Sequence, residues 1–352
     1  MSDMSNDLIK TIDRIAADAC DRPTRVAAEA GQWPTALWNA LDEVGLVRGA
    51  LPEAAGGSGL DFDDAMLALR RTAYHAMPVP LAETMLAGRL LVAAGLDVPE
   101  GPLTIAPVRA EQKLVASGTG AGATVSGTAR RVPWGDACPY AVVVADAPGS
   151  PVMGLVAIEG LLVSVDKNLA GEPRAQLQFD RAPLIAVAPL ADAWQRLATE
   201  GALCRSVQMI GALERTLEYG LLYANDRVQF GKPIGKFQAV QHMLAILAGH
   251  VAASSAVVDA AVEASTEQAD EFAVAVAKSR VGEAAGKCAE IAHQVHGAMG
   301  YTHEHNLHYS TRRLWAWRDE FGGESHWQVR LGRMVSAKGP DALWPTLVGE
   351  RA

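Results

Sequence analysis

The chain has 352 residues, of which 49% are hydrophobic and 20% are charged, and its formal net charge is -9 at pH 7. A chain of this length and composition can bury a large core, and two or three domains are expected. The negative charge argues against nucleic acid or an anionic membrane surface as the main partner.

The N-terminal segment is acidic and amphipathic, unlike a signal peptide, and no apolar run is expected to be long enough to span a bilayer. The expected location is therefore the cytoplasm. The four cysteines, Cys20, Cys138, Cys204 and Cys288, lie far apart without a CxxC pair. They indicate neither a zinc site nor a disulfide framework, so we expect them to be reduced and buried.

The first part of the chain, residues 1–101, is predicted to be an α-helical domain. Apolar residues recur there at helical spacing, as at Leu8, Ile12 and Ile15, and clusters of Gly and Pro separate the helices.

Residues 102–188 are predicted to form a domain of antiparallel β-strands or a small barrel. Their short β-branched segments are separated by Gly, Pro or Asp, with no helix between them. The spacing of Gly118, Gly120 and Gly122 is similar to that of a dinucleotide-binding loop. Because no helix follows these glycines, we predict a hairpin turn instead.

Residues 189–352 are predicted to form an up-and-down four-helix bundle, because long apolar-periodic segments are joined there by short turns. The third helix is rich in Ala and covers about residues 270–296, and the last one surrounds Trp327. The fold class is therefore α+β, with a helical domain, a β domain and a helix bundle in chain order.

The turn between the first two bundle helices carries Arg227, Phe230 and Gln238, next to Gly231 and Gly235. A guanidinium group can form paired hydrogen bonds with phosphate oxygens while an aromatic ring stacks on a flat ligand. The turn is therefore a candidate site for a ligand that has both a pyrophosphate and a ring. The alternative is a solvated turn whose Phe returns to the core.

A second motif, HQVHGAMGY, covers residues 293–301. Together with the turn it resembles the acyl-CoA dehydrogenase family, whose flavin-binding turn reads RxxFGxxIxxxQ and whose later helix ends in QxxGGxGY. The matching residues are Arg227, Phe230, Gly231, Ile234 and Gln238 in the turn, and Gln294, Gly297, Gly300 and Tyr301 in the signature, where Ala298 replaces the second Gly. Residues 37–64 resemble the N-terminal part of the family.

The resemblance implies FAD-dependent oxidation of an acyl-CoA thioester between Cα and Cβ. Such a site needs hydrogen-bond donors at the thioester carbonyl and a carboxylate base, because the α-proton is acidic only when the carbonyl is polarised. The contacts to FAD that the resemblance implies are made by Arg227, Phe230, Ile234, Gln238, Gln294 and Gly297.

The catalytic base of the family has no direct counterpart. Alignment from Tyr301 places Phe321, or Gly322 with one inserted residue, at the usual position, and Gly201 falls at the position used by other members. None of these residues can abstract a proton. Three neighbouring carboxylates are candidate bases, although a surface group or an ion-pair partner is the favoured interpretation of each: Glu200, Glu320 and Glu324.

The middle of the chain departs from the family pattern. Residues 103–113 replace the family's flavin-cradling strand, and residues 132–135 only weakly resemble a second flavin contact. The half-site for adenine and pyrophosphate is thus retained, and the half-site for the isoalloxazine is altered.

In the resembled fold, the β domain of one subunit holds the flavin ring, and the turn and the signature helix of its neighbour reach the same flavin. We therefore expect a hetero-oligomer, a dimer of dimers with a second acyl-CoA dehydrogenase subunit. This arrangement resembles the paired subunits that act on steroid or side-chain acyl-CoAs. The family also implies an electron-transferring flavoprotein as partner. From the charge, the composition and the spacing of possible ligands, we expect no nucleic acid, membrane or metal.

Two alternatives remain open within the resemblance: a homomeric acyl-CoA dehydrogenase with a relocated base, and a non-catalytic structural or acyl-CoA-binding subunit. A di-iron carboxylate site is the alternative from another class. It would need two inward-facing Glu-x-x-His pairs, and the predicted helices offer only Glu290 and His293. Trp315 and Trp317 are candidates to line an active site, but packing in the core or at an interface is the favoured interpretation.

Overall fold

The structure, a computed structural model, describes residues 3–109, 111–118, 120–342 and 344–345. Its N-terminal part is helical, as predicted, and the apolar face of the first helix is buried at Ile12 and Ile15. The helices are α1 (Asp3–Ala19), α2 (Arg22–Glu29), α3 (Thr35–Glu43), α4 (Phe62–Tyr74) and α5 (Leu81–Ala93).

Two four-stranded sheets follow, in the strand orders β1-β4-β5-β8 and β2-β3-β7-β6. The strands are β1 (Leu103–Ala106), β2 (Val115–Ser117), β3 (Thr124–Pro133), β4 (Tyr140–Ala145), β5 (Val152–Ala157), β6 (Leu162–Lys167), β7 (Pro173–Pro183) and β8 (Ala186–Pro189). A second apolar core, separate from the helical one, lies between the sheets.

The sheets are antiparallel, as predicted, except that β1 pairs with β4 in parallel, with Leu103 opposite Tyr140. Strands β2 and β3, which lie between β1 and β4 in the sequence, belong to the other sheet. The chain therefore re-enters the first sheet at β4 and runs in the same direction as β1. Hydrophobic periodicity does not show which strands cross to another sheet, so it could not predict this parallel pairing. The predicted hairpin at the glycines is confirmed by the antiparallel pairing of β2 with β3, and Thr119 lies outside the described residues.

The C-terminal part is the predicted four-helix bundle, formed by α6, α7, α8 and α10. The elements of this part are α6 (Ala193–Asp226), β9 (Val228–Gln229), β10 (Lys232–Pro233), α7 (Gln238–Glu263), α8 (Glu271–His296), α9 (Leu307–Arg318) and α10 (Glu324–Lys338). The bundle also packs on the N-terminal helices. At Gly211 of α6 a Cβ would lie only 2.1 Å from the carbonyl oxygen of Arg70 on α4.

Within the described residues, α7 alone is long and apolar enough to cross a bilayer, with a mean hydropathy of 1.6 over its best window. This corrects the expectation that the chain has no such run. Length and composition are weak evidence here, because bundle helices meet the same criterion. In this fold α7 packs against α6 and α8, and 33% of the window is buried.

The four cysteines are free and buried, as expected from their spacing. Burial raises the pKa of the Cys204 and Cys288 thiols to about 12, so both are protonated at neutral pH.

A buried ion network joins the three parts of the chain. Arg205 of α6 binds Glu83 of α5 at 2.5 Å and Glu320, in the turn after α9, at 2.7 Å. The other oxygen of Glu320 accepts from Arg174 of β7 at 2.6 Å, and Arg174 also pairs with Glu172 at 3.1 Å. A buried charge is costly without partners, so these contacts hold the helical domain, the β domain and the bundle in one arrangement.

Candidate functional site

A cavity of about 450 Å³ lies between the β domain and the bundle. Trp194 and Leu197 near the start of α6, Trp315 of α9, Phe321 of the next turn and Arg131 of β3 line this cavity. Its volume is in the range of small-molecule sites, which combine apolar walls with a few polar groups. Trp315 thus lines the cavity, whereas Trp317 is buried beside the ion network and donates its Nε1 hydrogen to Glu172.

The ring of Phe321 fills the part of this cavity next to α6. Phe321 has a φ of +53°, and a Cβ built on Gly201 would lie 2.4 Å from the ring. The two positions that the family resemblance gives for the base are therefore neighbours in space. One carries no side chain, and the other carries a hydrocarbon ring that occupies the room between them.

Backbone contacts hold the turn that presents Phe321. The buried Nζ of Lys278 donates to the carbonyl oxygens of Arg318 at 2.6 Å and Gly322 at 2.8 Å, and Trp327 Nε1 donates to that of Phe321 at 2.9 Å. Burial lowers the pKa of Lys278 to about 7. An amine satisfies these two acceptors in either protonation state, so Lys278 caps the end of α9 whether or not it is charged.

Glu320 is the one predicted catalytic carboxylate that the structure places on this cavity. Burial alone would raise the pKa of this carboxyl, but Arg174 and Arg205 outweigh that effect and hold its pKa at about 2. A carboxylate that is held so firmly in its charged form is a weak proton acceptor. A role for Glu320 as a base remains a prediction, and its contacts favour a structural ion pair.

Glu200 and Glu324 lie elsewhere. Glu200 is buried, accepts from Arg89 at 2.8 Å and lines a different cavity of about 600 Å³. Glu324 begins α10 and pairs with Arg318. Both carboxylates are therefore engaged in ion pairs, and their predicted role as bases still requires kinetic measurement.

The predicted cofactor turn projects from one end of the bundle. Phe230 is 92% exposed and has a φ of +51°, and Arg227 and Gln238 are also exposed. The amide N–H of Ile234 donates to the carbonyl oxygen of Arg227 at 2.8 Å and closes the turn. Phe230 therefore does not return to the core, and its left-handed backbone conformation is strained for a residue with a side chain.

The signature motif lies at the same end of the bundle. Its His296 stacks on Tyr223, one helical turn before Arg227, with 4.6 Å between ring centroids. Gln294 and Gly297 are exposed, while burial lowers the pKa of His296 to about 4. The predicted cofactor residues thus lie at one end of the bundle, where Ile234 is half-buried and the other five are exposed. We call them the turn-and-signature surface: Arg227, Phe230, Ile234, Gln238, Gln294 and Gly297.

The two segments that replace the family's isoalloxazine contacts lie at different cavities. Val108 and Arg109 line the 450 Å³ cavity, and Ala110 lies outside the described residues. Trp134 is buried and lines another cavity of about 500 Å³ together with Trp33. The aromatic residue that weakly resembled a flavin contact therefore lies away from the cavity at Phe321.

The Glu-x-x-His pair of the di-iron alternative does not converge. Glu290 is exposed and lies 3.6 Å from Lys287, whereas the ring of His293 is buried against Thr311. Among the described residues, no three His, Cys, Asp or Glu side chains form a group that could hold a metal ion.

Arg131 is a cavity residue that the sequence did not reveal. It lies in the ARRV run of β3, where two consecutive arginines break the alternation of a strand. This break is the signal that would have indicated an irregularity, because successive side chains of a regular strand point to opposite faces.

The order of domains and the turn-and-signature surface define a flavin-dependent dehydrogenase of the acyl-CoA type. Two family models agree: the N-terminal domain of acyl-CoA dehydrogenase matches residues 2–97 and the C-terminal domain matches residues 192–325. The acyl-CoA dehydrogenase IpdE2 of Mycobacterium tuberculosis is 30% identical over 278 residues, which is 79% of each chain. This chain therefore belongs to the acyl-CoA dehydrogenase family, whose members are oxidoreductases that use FAD.

Solved structures of related proteins share the whole fold. The ChsE4–ChsE5 complex from Mycobacterium tuberculosis has a TM-score of 0.87 at 25% identity, covering 97% of this chain and 99% of the other. A variant of the Tcur3481–Tcur3483 steroid ACAD has a TM-score of 0.86 at 25% identity, with 95% and 98% covered.

Proposed function

We propose that this chain is one subunit of a hetero-oligomeric acyl-CoA dehydrogenase and contributes the turn-and-signature surface to a flavin site that a second subunit completes. One asymmetry carries the proposal. The residues that would reach a neighbour's flavin are exposed at Arg227 and Phe230, while the chain's own base position is occupied by Phe321.

The side chains of the exposed surface fit one half of FAD. The Arg227 guanidinium can bind pyrophosphate oxygens in a paired geometry, and Gln238 and Gln294 offer amide donors and acceptors. Bound FAD supplies an acceptor for the hydride that leaves Cβ of the substrate. The isoalloxazine half of FAD fits this chain less well. Arg109 and Phe321 line the cavity in which the resemblance requires the isoalloxazine ring and the catalytic base.

We propose the substrate class from similar proteins whose names mention a steroid substrate or a complex of two chains. One similar structure is a complex of two different chains, and another is named a steroid ACAD. We therefore propose a bulky steroid or side-chain acyl-CoA as substrate, in a cytoplasmic dimer of dimers. An electron-transferring flavoprotein would accept the electrons.

The visible spectrum of the purified chain tests this proposal, alone and after co-expression with a second, more regular acyl-CoA dehydrogenase subunit. The chain alone should be colourless. The complex should show bound flavin absorbance that bleaches when an acyl-CoA is added.

Arg227→Ala should remove most of the flavin from the complex, because a charge-assisted contact to phosphate is lost. Arg333→Ala, at an exposed arginine of α10 outside the turn-and-signature surface, is the matched control and should retain the flavin. A chain that is yellow and bleaches with substrate by itself would contradict the proposal and support the homomeric alternative. Single Glu200→Gln, Glu320→Gln and Glu324→Gln substitutions would then locate the base by a large loss of kcat with flavin retained.

A further inference from the structure

We propose that a cavity lined by three tryptophans binds a methylated ammonium group, with Asp136 as its counter-ion. The cavity has a volume of about 500 Å³ and lies where the loop between α2 and α3 meets the β domain. Among the described residues, none lines both this cavity and the one at Phe321. The inference therefore concerns a second site and goes beyond the proposed flavin site.

The three tryptophans come from different parts of the chain. Trp33 lies in the loop before α3, Trp38 lies in α3, and Trp134 directly follows β3. The ring centroids of Trp33 and Trp38 are 5.5 Å apart and their planes are inclined at 52°, so the pair forms a corner instead of a flat stack. Trp134 has a φ of +53°, a strained state for a bulky residue that recurs at binding sites. Aromatic rings grouped around one cavity are a common means of binding methylated ammonium groups.

These three rings hold no cation of the chain itself. Other tryptophans of the fold are paired with arginines. The guanidinium carbon of Arg205 lies 6.0 Å from the centroid of the Trp317 ring, and that of Arg330 lies 5.2 Å from the Trp327 ring. Within the described ranges, no Arg or Lys lies over the rings of the three cavity tryptophans at such a distance. The attraction of these rings for a positive charge is therefore left for a ligand.

The charge of the cavity favours a cation. Asp136 is the only charged side chain among the described residues that line it, and this residue is exposed. In the part of the chain that the structure describes, no basic nitrogen lies within 4.0 Å of its carboxylate. Asp136 would repel an anion, whereas a cation at the tryptophans gains an exposed counter-ion.

The other walls favour a methylated ammonium over a primary one. Pro102, Pro139 and Pro173 and the methyl groups of two alanines supply apolar surface. A primary ammonium carries three N–H donors, and among the described lining residues only Gln32 and Asp136 offer side-chain acceptors. Its loss of solvation would therefore be poorly compensated. A trimethylated ammonium has no N–H group, and its methyl groups contact aromatic and apolar walls directly.

Isothermal titration calorimetry of the full chain with choline measures the binding. The control ligand is 3,3-dimethyl-1-butanol, which has the shape of choline with carbon in place of the charged nitrogen. Choline should bind about threefold to thirtyfold more tightly, the usual range for the attraction between a cation and an aromatic ring.

A peptide that carries one trimethyllysine distinguishes two sources of the ligand. It is compared with choline and with the same peptide carrying unmodified lysine, which should bind more weakly. Tighter binding of the trimethyllysine peptide than of choline assigns the site to a protein side chain. The reverse order assigns it to a free metabolite.

Trp33→Leu should weaken choline binding by about threefold to thirtyfold, because an aliphatic side chain replaces a half-buried ring. Trp33→Phe keeps an aromatic face and should lose less. Trp344→Leu is the matched control, because Trp344 is exposed and does not line the cavity. Asp136→Asn should weaken binding by about twofold to fivefold, the range for an exposed ion pair. Asp180→Asn, at an exposed carboxylate outside the cavity, should leave binding unchanged.

Three results would overturn the inference. Equal affinities for choline and its uncharged analogue would show an apolar cavity without preference for a cation. Equal affinities of folded Trp33→Leu and Trp344→Leu for choline would place the binding elsewhere. Absence of binding by both choline and the trimethyllysine peptide would exclude the site. The comparison of ligands uses the unchanged chain, so it decides the matter even where Trp33→Leu does not fold. None of these measurements involves flavin, so this proposal and the shared flavin site can fail separately.

Discussion

At the residue scale, Phe321 and Gly201 form a complementary pair. The ring lies in the space that any side chain at position 201 would need, since a Cβ there would be 2.4 Å from it. Taken separately, each residue is ordinary: Phe321 is a buried aromatic residue, and Gly201 is a glycine within a helix. Their contact shows that the two positions that the family resemblance gives for the base are packed against each other, and Lys278 and Trp327 hold the turn of Phe321 from the other side.

Gly201→Ala should lower the free energy of unfolding by about 1–3 kcal/mol, because the added methyl group overpacks against the Phe321 ring. In a Phe321→Ala background the same change should be neutral or stabilising, since Ala favours a helix over Gly by about 1 kcal/mol. Urea denaturation measures both effects. Gly249→Ala on α7 is the control, because no atom lies within 4 Å of its added Cβ, and an equal loss there would contradict this account.

Glu320 predicts an acid-dependent loss of stability. Its pKa is about 2 in the folded chain and 4.5 in the reference state, so the folded state binds the proton less readily than the unfolded state. The stabilising contribution is complete above about pH 4.5 and is lost as the pH falls through 2.

Glu320→Gln should reduce this dependence between pH 4.5 and 2. At pH 7 it should lower the free energy of unfolding by about 3–5 kcal/mol, because Arg174 and Arg205 lose a buried counter-ion. Denaturation curves measured from pH 7 to pH 2 test both effects. Glu290→Gln, at an exposed ion pair, should cost less than about 1 kcal/mol. A neutral-pH effect of Glu320→Gln as small as that of the control would show that the ion network is unimportant for stability.

At the scale of elements, the ends of the helices position the functional surfaces. The C-terminus of α6 leads into the Arg227 turn, and the C-terminus of α8 carries the signature. The stacking of Tyr223 on His296 holds the two ends together. Both helices therefore have to begin and end at defined residues for the exposed surface to form.

The start of α8 provides a direct test of this dependence. The carboxylate of Asp270 accepts from the amide of Ala273 at 2.8 Å and caps the helix. Asp270→Ala should lower the free energy of unfolding by about 1 kcal/mol. Asp61→Ala is the control, because Asp61 precedes α4 without a side-chain capping bond. Equal losses for the two variants in urea denaturation would contradict the capping role.

At the scale of the whole molecule, the ion network and the two cores decide how the three parts fit. Glu83, Arg205, Arg174 and Glu320 come from a helix of the first part, a bundle helix, a strand and a turn. These residues are separated by up to 237 positions in the chain, and only the packed fold makes them neighbours. The same packing creates the cavity between the β domain and the bundle.

The sequence by itself determined the order of the elements, the bundle helices and the family. Hydrophobic periodicity and turn residues are local signals, and the turn and signature motifs each lie within a dozen residues. For that reason the turn that carries Arg227, Phe230 and Gln238 could also be predicted, whereas the sequence leaves open whether Phe230 is exposed or returns to the core.

Only the tertiary structure decided the parallel pairing of β1 with β4, the placement of Phe321 against Gly201, the engagement of Glu320 by two arginines, and the entry of Arg131 into the cavity. Each of these depends on contacts between residues that are distant in the chain, or on a bulge that changes the direction of a side chain. Local periodicity contains neither kind of information.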